Sequence, residues 1–424
     1  MAGEKLETVA VVEQPDKPAE IQIGRDFWPF FRKESKPKGN PATAFNLLSG
    51  VVVAFSILAI VYRLFAGLGS PVTNLSQLSP LGLWIGFYIM CGVAFAAGGA
   101  VVPFIVNVLG VKKYRPFLRV AVLNNLLTSF FCLVVIVLSF GRWWNIPNVF
   151  IGNGFGANSV MFIVLWVFLL TIVTAALQFR PAFAEWIGNT TSRKRAATVA
   201  LGATVFGITL SVLQQTGVGA LLTMAKGKIH PLWYSEMLPV LFFVSSIYAG
   251  ISLLIMVDAI SEKVFSYQID EEYRNSRFDV MMGFAKICGG VMFGFFALSL
   301  IVAQFEGDFA FVNSEMGYWW LLEIIGFVAI PGLMFAHGAQ KKNMLTIQTA
   351  AVIAMVGILM NRYNSVFLAY NWDLPFAERY FPSALEWIVT LAVVFVQIWA
   401  FRWIVNRMPV MRKSPQWAEK FDRD

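Results

Sequence analysis

The sequence is short of nearly everything a self-sufficient redox enzyme uses. It has two histidines and three cysteines in 424 residues, and 14% of its residues are charged. Cys91, Cys132 and Cys288 lie far apart, each inside an apolar run. An iron–sulfur cluster needs several cysteines at close spacing. A disulfide framework needs them in a small, loop-rich chain. Both are excluded, and the three read as packing residues. A membrane b-type haem usually takes two histidines from facing helices. His230 and His337 fall at opposite ends of the spans assigned below, and sixteen methionines single out no substitute. There is no Cys-x-x-Cys-His, no Walker loop and no zinc spacing. The expectation is a chain without haem, iron–sulfur cluster or metal of its own.

Apolar residues are abundant. The chain is 58% hydrophobic and 15% aromatic, with a mean hydropathy of +0.66. Soluble domains are about 45–50% apolar and about 25% charged. Runs of about 20 apolar residues, each enough to cross a hydrocarbon core of about 30 Å as a helix, recur along the chain. They predict an all-α integral membrane protein with ten helices over 46–66, 81–109, 119–139, 159–179, 197–224, 239–259, 281–304, 317–336, 344–362 and 384–405. Residues 1–45 read as a cytoplasmic or interfacial lead-in, 46–405 as the membrane domain and 406–424 as a cytoplasmic tail. The lead-in mixes charges and prolines and lacks the apolar h-region of a signal peptide. Its stretch RDFWPFFRK, Arg25–Lys33, suits the membrane surface, rings down and cations towards phosphate.

The net charge of +8 encodes orientation, not nucleic-acid binding. The membrane-proximal part of the lead-in from Arg25 on, the even-numbered connections and the tail hold 22 Lys and Arg, among them Arg25, Lys38, Lys112, Arg193, Arg277, Lys341, Lys420 and Arg423. The odd-numbered connections hold four: Arg142, Lys226, Lys228 and Arg379. Basic loops stay in the cytoplasm, so both termini are expected there, in a bacterial inner membrane. Trp143, Trp144, Trp233, Tyr234, Tyr318, Trp319, Trp320, Trp372 and Trp387 then fall at outer helix ends, as an aromatic belt does.

Polar groups at membrane depth cost a few kcal/mol each and are functional candidates. Towards the outer side lie Arg63, Gln214, Gln215, His230, Glu236, Glu323, Arg362 and Glu386. Towards the inner side lie Asn124, Asn125, Gln178, Glu185, Asp258 and Lys286. The fifth connection, GKIHPLWYSEML (Gly227–Leu238), concentrates imidazole, indole, phenol and carboxylate in one short outer stretch. These groups suit a quinone headgroup, whose carbonyls need donors and whose reduction needs protons at neutral pH. A satisfied turn histidine is the alternative for His230, and a surface-facing residue for Glu386. The expected quinone pocket is Trp84, Tyr88, Gln215, His230, Trp233, Tyr234 and Arg362, with His230, Glu323 and Glu386 handling protons. The expected proton path is Asn125, Gln178, Glu185, Asp258 and Lys286, with Asp258 and Lys286 paired across the sixth connection. Pro331 is expected to kink its helix below Glu323.

LQQTGVGALLTMAKGKIHPLWYSEMLPVLFFVSSIYAG (Leu213–Gly250) resembles the HybB-like branch of the NrfD/PsrC superfamily. GLWIGFYIMCGVAFAAGG (Gly82–Gly99), NRYN (Asn361–Asn364) and YFPSALEW (Tyr380–Trp387) extend the likeness over most of the membrane region. The resemblance implies a haem-free, quinone-reactive anchor of two four-helix bundles plus two further helices. It implies a periplasmic iron–sulfur subunit as partner, with menaquinone reacting at the outer helix ends. Within the branch the chain looks most like membrane subunits of menaquinone reductase complexes from sulfate-reducing bacteria. A molybdopterin-oxidoreductase-like subunit and a multihaem cytochrome c complete those assemblies. One position departs: ALQFRPAFAEW has Gln178 where HybB-like chains often carry glutamate, with Glu185 seven residues on. Glutamine passes hydrogen bonds but takes up no charge. Three alternatives stay open: a secondary transporter with inverted repeats and broken helices, a HybB-type hydrogenase subunit, and a passive anchor.

Overall fold

A computed structural model of the chain describes residues 27–36, 42–151, 159–375 and 378–419. Arg25, Lys38, Lys420 and Arg423 of the basic count lie outside the described residues, as do parts of the expected lead-in and tail. Among the described residues, ten helices are long and apolar enough to span a membrane: α1 (Ala44–Ala66), α2 (Ile85–Val108), α3 (Lys112–Ser139), α4 (Phe162–Ile187), α5 (Thr190–Thr223), α6 (Leu238–Val264), α7 (Glu271–Glu306), α8 (Glu315–Lys341), α9 (Met344–Leu368) and α10 (Ala384–Val405). Among the described residues, β-type pairing is confined to one bridge, Ile229 to Tyr370.

The packing is the expected one. α2 to α5 form one four-helix bundle and α6 to α9 a second. The bundles meet where α6 lies against α2 and α5. α1 and α10 pair with each other outside them, α10 also resting on α3. Close approach at the seam requires glycine. A Cβ on Gly250 would lie 2.1 Å from the Gly98 backbone nitrogen. Small residues at helix crossings let backbones pack without a solvent-driven hydrophobic term. α1 shows the opposite face of the same physics, with Phe55, Leu58 and Phe65 60%, 65% and 88% exposed, side chains that lipid would cover.

Several boundaries differ from those predicted. α5 begins at Thr190 and α7 at Glu271, earlier than 197 and 281. Both additions are polar turns that hydropathy does not count. Asn189 starts α5 by accepting a hydrogen bond from the Ser192 amide at 2.7 Å, and Glu271 and Glu272 sit at the positive end of α7. α4 runs through Pro181 to Ile187, since membrane helices tolerate proline where neighbours satisfy the freed groups. α8 and α9 each run past the predicted end, and each contains a π-helical stretch, Leu322–Ala329 and Asn364–Leu368. Pro331 stands in the first turn of the α-helical segment Ile330–Lys341 that follows the first of these.

A short helix, Phe27–Glu34, packs beneath the bundle. Phe30 meets Trp186 and Phe31 meets Trp403, at ring separations of 5.0 and 5.9 Å. Arg407 donates to the Glu34 carbonyl. The described ends of the chain therefore meet at one end of the bundle, the terminal face. The opposite end is the distal face.

Candidate functional site

The π-helical turn of α8 places Glu323 inside the second bundle at the distal end, where it is 3% exposed. Wide turns of this kind recur at functional sites. Three side chains from two other segments donate to its carboxylate. The Trp233 indole N–H reaches Oε2 at 3.0 Å, and the Asn364 amide reaches it at 2.6 Å. The Asn361 amide donates to Oε1. Asn364 lies at the start of the second π-helical stretch, so both irregular turns serve one carboxylate.

Arg362 continues the network. It is 1% exposed, and one terminal nitrogen donates to Asn361 Oδ1 at 2.8 Å while the other donates to Ser245 Oγ. The guanidinium carbon lies 3.3 Å from the centre of the Phe242 ring, a cation–π contact. Its Nε is a buried donor with no hydrogen-bond partner among the described residues. Buried donors are nearly always satisfied, so this one is poised for an acceptor. Glu323, Asn361 and Arg362 border a cavity of about 60 Å³, with Trp233, Tyr234, Leu238, Phe242 and Trp320 also on its wall.

His230 stands behind this wall. It is 2% exposed, and its Nδ1 accepts from the Leu232 amide at 3.3 Å, capping the short turn Pro231–Trp233. Its own amide donates to the Ala369 carbonyl at 2.9 Å. Trp233, Phe311 and Trp372 surround the ring edge-on. Burial lowers its pKa below the ordinary 6.5, so the imidazole is neutral at pH 7. The histidine does not line the cavity; it holds the turn that aims Trp233 at Glu323.

Glu386 belongs to a second cluster at the same end. It is 1% exposed, in a capping box at the start of α10. Its Oε2 accepts from the Ser383 amide at 2.9 Å, and Oε1 accepts from the Tyr380 hydroxyl. Trp84 and Tyr88 join this cluster. The Trp84 indole donates to the Glu386 carbonyl at 3.2 Å and the Tyr88 hydroxyl to the Thr390 carbonyl at 2.6 Å. Gln215 donates to the Val93 carbonyl at 2.6 Å, tying α5 to α2. Of the expected pocket, Trp233, Tyr234 and Arg362 surround the cavity with Glu323. Trp84, Tyr88, Gln215 and Glu386 do not line it.

The inner set is held mostly by ion pairs. Glu185 accepts from Arg119 and Arg193 at 2.8 Å each. Asp258 pairs with Arg277 at 2.7 Å and accepts from the Tyr273 hydroxyl at 3.2 Å. The expected partner Lys286 is instead exposed on the outside of α7, because Arg277 lies nearer the helix start on the inward side. Gln178 donates to the Ala203 carbonyl at 2.8 Å, and Asn125 accepts from Ser129 at 3.1 Å.

Sequence reasoning missed Asn361, Asn364, Ser245 and Asp308. The two asparagines stand in the quoted NRYN string, but nothing in spacing says that a π-helical turn brings both to Glu323. Asp308, in the loop after α7, is 8% exposed on the cavity wall. Burial, with Glu306 adding to it, raises its carboxyl to about 6.

A family model described as polysulphide reductase, NrfD, matches residues 71–372. A Nitratidesulfovibrio vulgaris protein is 34% identical over 88% of this chain and 96% of its own length. The probable Ni/Fe-hydrogenase 2 b-type cytochrome subunit of Escherichia coli is 27% identical over 86% of this chain and 92% of its own. The Hdr-like menaquinol oxidoreductase integral membrane subunit of Archaeoglobus fulgidus is 23% identical over 83% and 93%. With the ten-helix architecture, these matches identify the chain as a member of the NrfD family, a multi-pass inner-membrane subunit of the kind that serves respiratory oxidoreductase complexes.

Proposed function

We propose that the chain binds menaquinone in the distal cavity beside Glu323 and Arg362, and exchanges electrons with a partner iron–sulfur subunit docked on the distal face. The observation that carries this reading is the unpartnered Nε of Arg362, buried beside a cavity that also offers a carboxylate. A quinone carbonyl is an acceptor of the required kind. Trp320, Leu238 and Phe242 supply apolar wall for a ring, as small-molecule sites usually do. At about 60 Å³ the cavity as it stands suits water-sized guests, and the reading requires rim side chains to turn aside to admit a headgroup.

Quinone reduction takes two electrons and two protons; the reverse reaction releases them. Electrons come from, or go to, the partner subunits. In this chain Glu323 holds a proton position against two amides and an indole, and Asp308 can exchange protons with the distal side near neutral pH. Arg362 orients a carbonyl and disfavours a second positive charge. The basic terminal face faces the cytoplasm by the charge bias, which makes the distal face periplasmic.

Similarity to the Archaeoglobus menaquinol oxidoreductase subunit favours menaquinone over other quinones. The motifs resembling menaquinone reductase subunits favour molybdopterin-oxidoreductase-like and multihaem cytochrome c partners. Proton uptake from the cytoplasm is a finer step of the same reading. Clamping of Glu185 and Asp258 by arginines leaves Gln178 and Asn125 as its best-placed members. No membrane potential during turnover in sealed vesicles would sink that step alone. Binding itself is tested by photolabelling the assembled complex with a menaquinone analogue. Label on the Trp233–Tyr234 or Trp320 peptides supports the site; label confined to the terminal half of the bundle overturns it.

A further inference from the structure

A larger cavity lies at the other end of the molecule. It measures about 660 Å³ and opens at the terminal face within the first bundle. Six cations border it: Lys112, Arg115, Arg119, Arg193, Arg412 and Lys413. Against them stand Asp270 and Glu272 on the wall, and Glu185, which takes the ion pairs of Arg119 and Arg193. Cations therefore outnumber acids two to one. The first turn of α3 begins at this wall, adding the positive end of a helix. A mouth of this sign favours an anion.

The sides of the cavity are of another kind. Between α2 and α5 the wall is Val106, Ala200 and Leu201, and the Asn107 amide donates to Thr204 at 3.2 Å to tie the two helices. The neighbouring outward surface is apolar: Val108, Leu109, Leu201 and Val205 are 49%, 58%, 50% and 52% exposed. Cations at the aqueous mouth and bare apolar side chains beside it match a phosphate headgroup with acyl chains lying along α2 and α5. Basic pockets between membrane helices on the cytoplasmic side bind such headgroups.

We infer that this vestibule is a binding site for a phosphate-bearing anion, and that its occupant is the headgroup of an anionic phospholipid. The site lies at the opposite face from the distal cavity and shares no residue with it, while Gln178 of the proposed proton path stands on its wall. It would anchor α3, α5 and the C-terminal segment at Met411–Ser414 to one another through a bound lipid.

The test is native mass spectrometry of the full-length chain in detergent, with phosphatidylglycerol or phosphatidylcholine added at equal concentration. Selective retention of phosphatidylglycerol is expected. It should fall about tenfold or more in Lys112→Gln/Lys413→Gln, which removes two charges, and stay unchanged in Lys226→Gln on the distal face. Equal retention of the two lipids overturns the site, as does selectivity that survives the double substitution. Displacement of phosphatidylglycerol by millimolar inorganic phosphate, with phosphate itself bound, assigns the site to a free anion and overturns the lipid. If the double variant aggregates, the two lipid arms and the phosphate arm on the native chain decide the question alone.

Discussion

Two buried carboxylates sit at the distal end, and their surroundings differ. Glu386 is satisfied largely by its own neighbourhood: the Ser383 amide, the Tyr380 hydroxyl and a capping box that starts α10. Glu323 is satisfied from afar, by Trp233 before α6 and by Asn361 and Asn364 on α9. It stands beside an arginine with an unused donor and beside a cavity. Burial alone does not mark a functional acid. A cap uses up a carboxylate within a few residues of sequence, whereas a site needs partners from several elements and space left over for a guest.

The sharpest way to break this comparison is Glu323→Gln. Loss of a positioned proton-transfer group costs about 100-fold or more, so quinone-linked turnover in the assembled complex should fall by that factor with subunit stoichiometry intact. Arg362→Lys comes next. Lysine lacks the planar fork, and hydrogen bonds to charged groups contribute about 1.5–3 kcal/mol; analogue affinity, read by fluorescence quenching, should weaken about tenfold or more. His230→Ala loosens the turn that carries Trp233. A cap is worth about 1 kcal/mol, so turnover should drop about fivefold, and Trp233→Phe in the same background should add little.

Titration sharpens the contrast further. Asp308, raised to about 6, should give the pH–rate profile an inflection near that value, absent in Asp308→Asn. Because its folded pKa lies above the unfolded one, its contribution to stability is lost as pH rises through about 6. His230 works in the opposite sense. Its folded pKa is depressed, so the stability of its turn is present above the ordinary value of 6.5 and lost as pH falls below it. Thermal melts of His230→Gln against the native chain between pH 5 and 8 read this directly. Glu386→Gln carries the smallest effect. One cap acceptor is lost for about 1 kcal/mol, which lowers the melting temperature by roughly 1–2 °C and leaves turnover per folded complex unchanged.

The architecture was legible because its signal is additive. Twenty apolar residues in a row have few alternatives to a span, and ten such runs gave ten helices. What hydropathy could not count were the polar extensions of α5 and α7 and the π-helical turns of α8 and α9. The candidate site was half legible. Glu323, Arg362, Trp233 and Tyr234 announce themselves by chemistry at membrane depth. Asn361, Asn364 and Ser245 look like ordinary polar residues until the wide turns bring them together. Trp84, Tyr88 and Glu386 carry equally suggestive chemistry, and their hydrogen bonds fasten helices instead. Lys286 and Arg277 lie on the same helix, and depth along it together with its rotation decides which one meets Asp258.

The most direct test sets the two carboxylates side by side. Electron transfer to a menaquinone analogue, and the affinity for that analogue, would be measured in nanodisc-embedded complex carrying Glu323→Gln or Glu386→Gln. The account predicts that Glu323→Gln loses transfer by about 100-fold while Glu386→Gln keeps both. Full transfer in Glu323→Gln, or its collapse only in Glu386→Gln, would contradict it and move the quinone to the α10 cap.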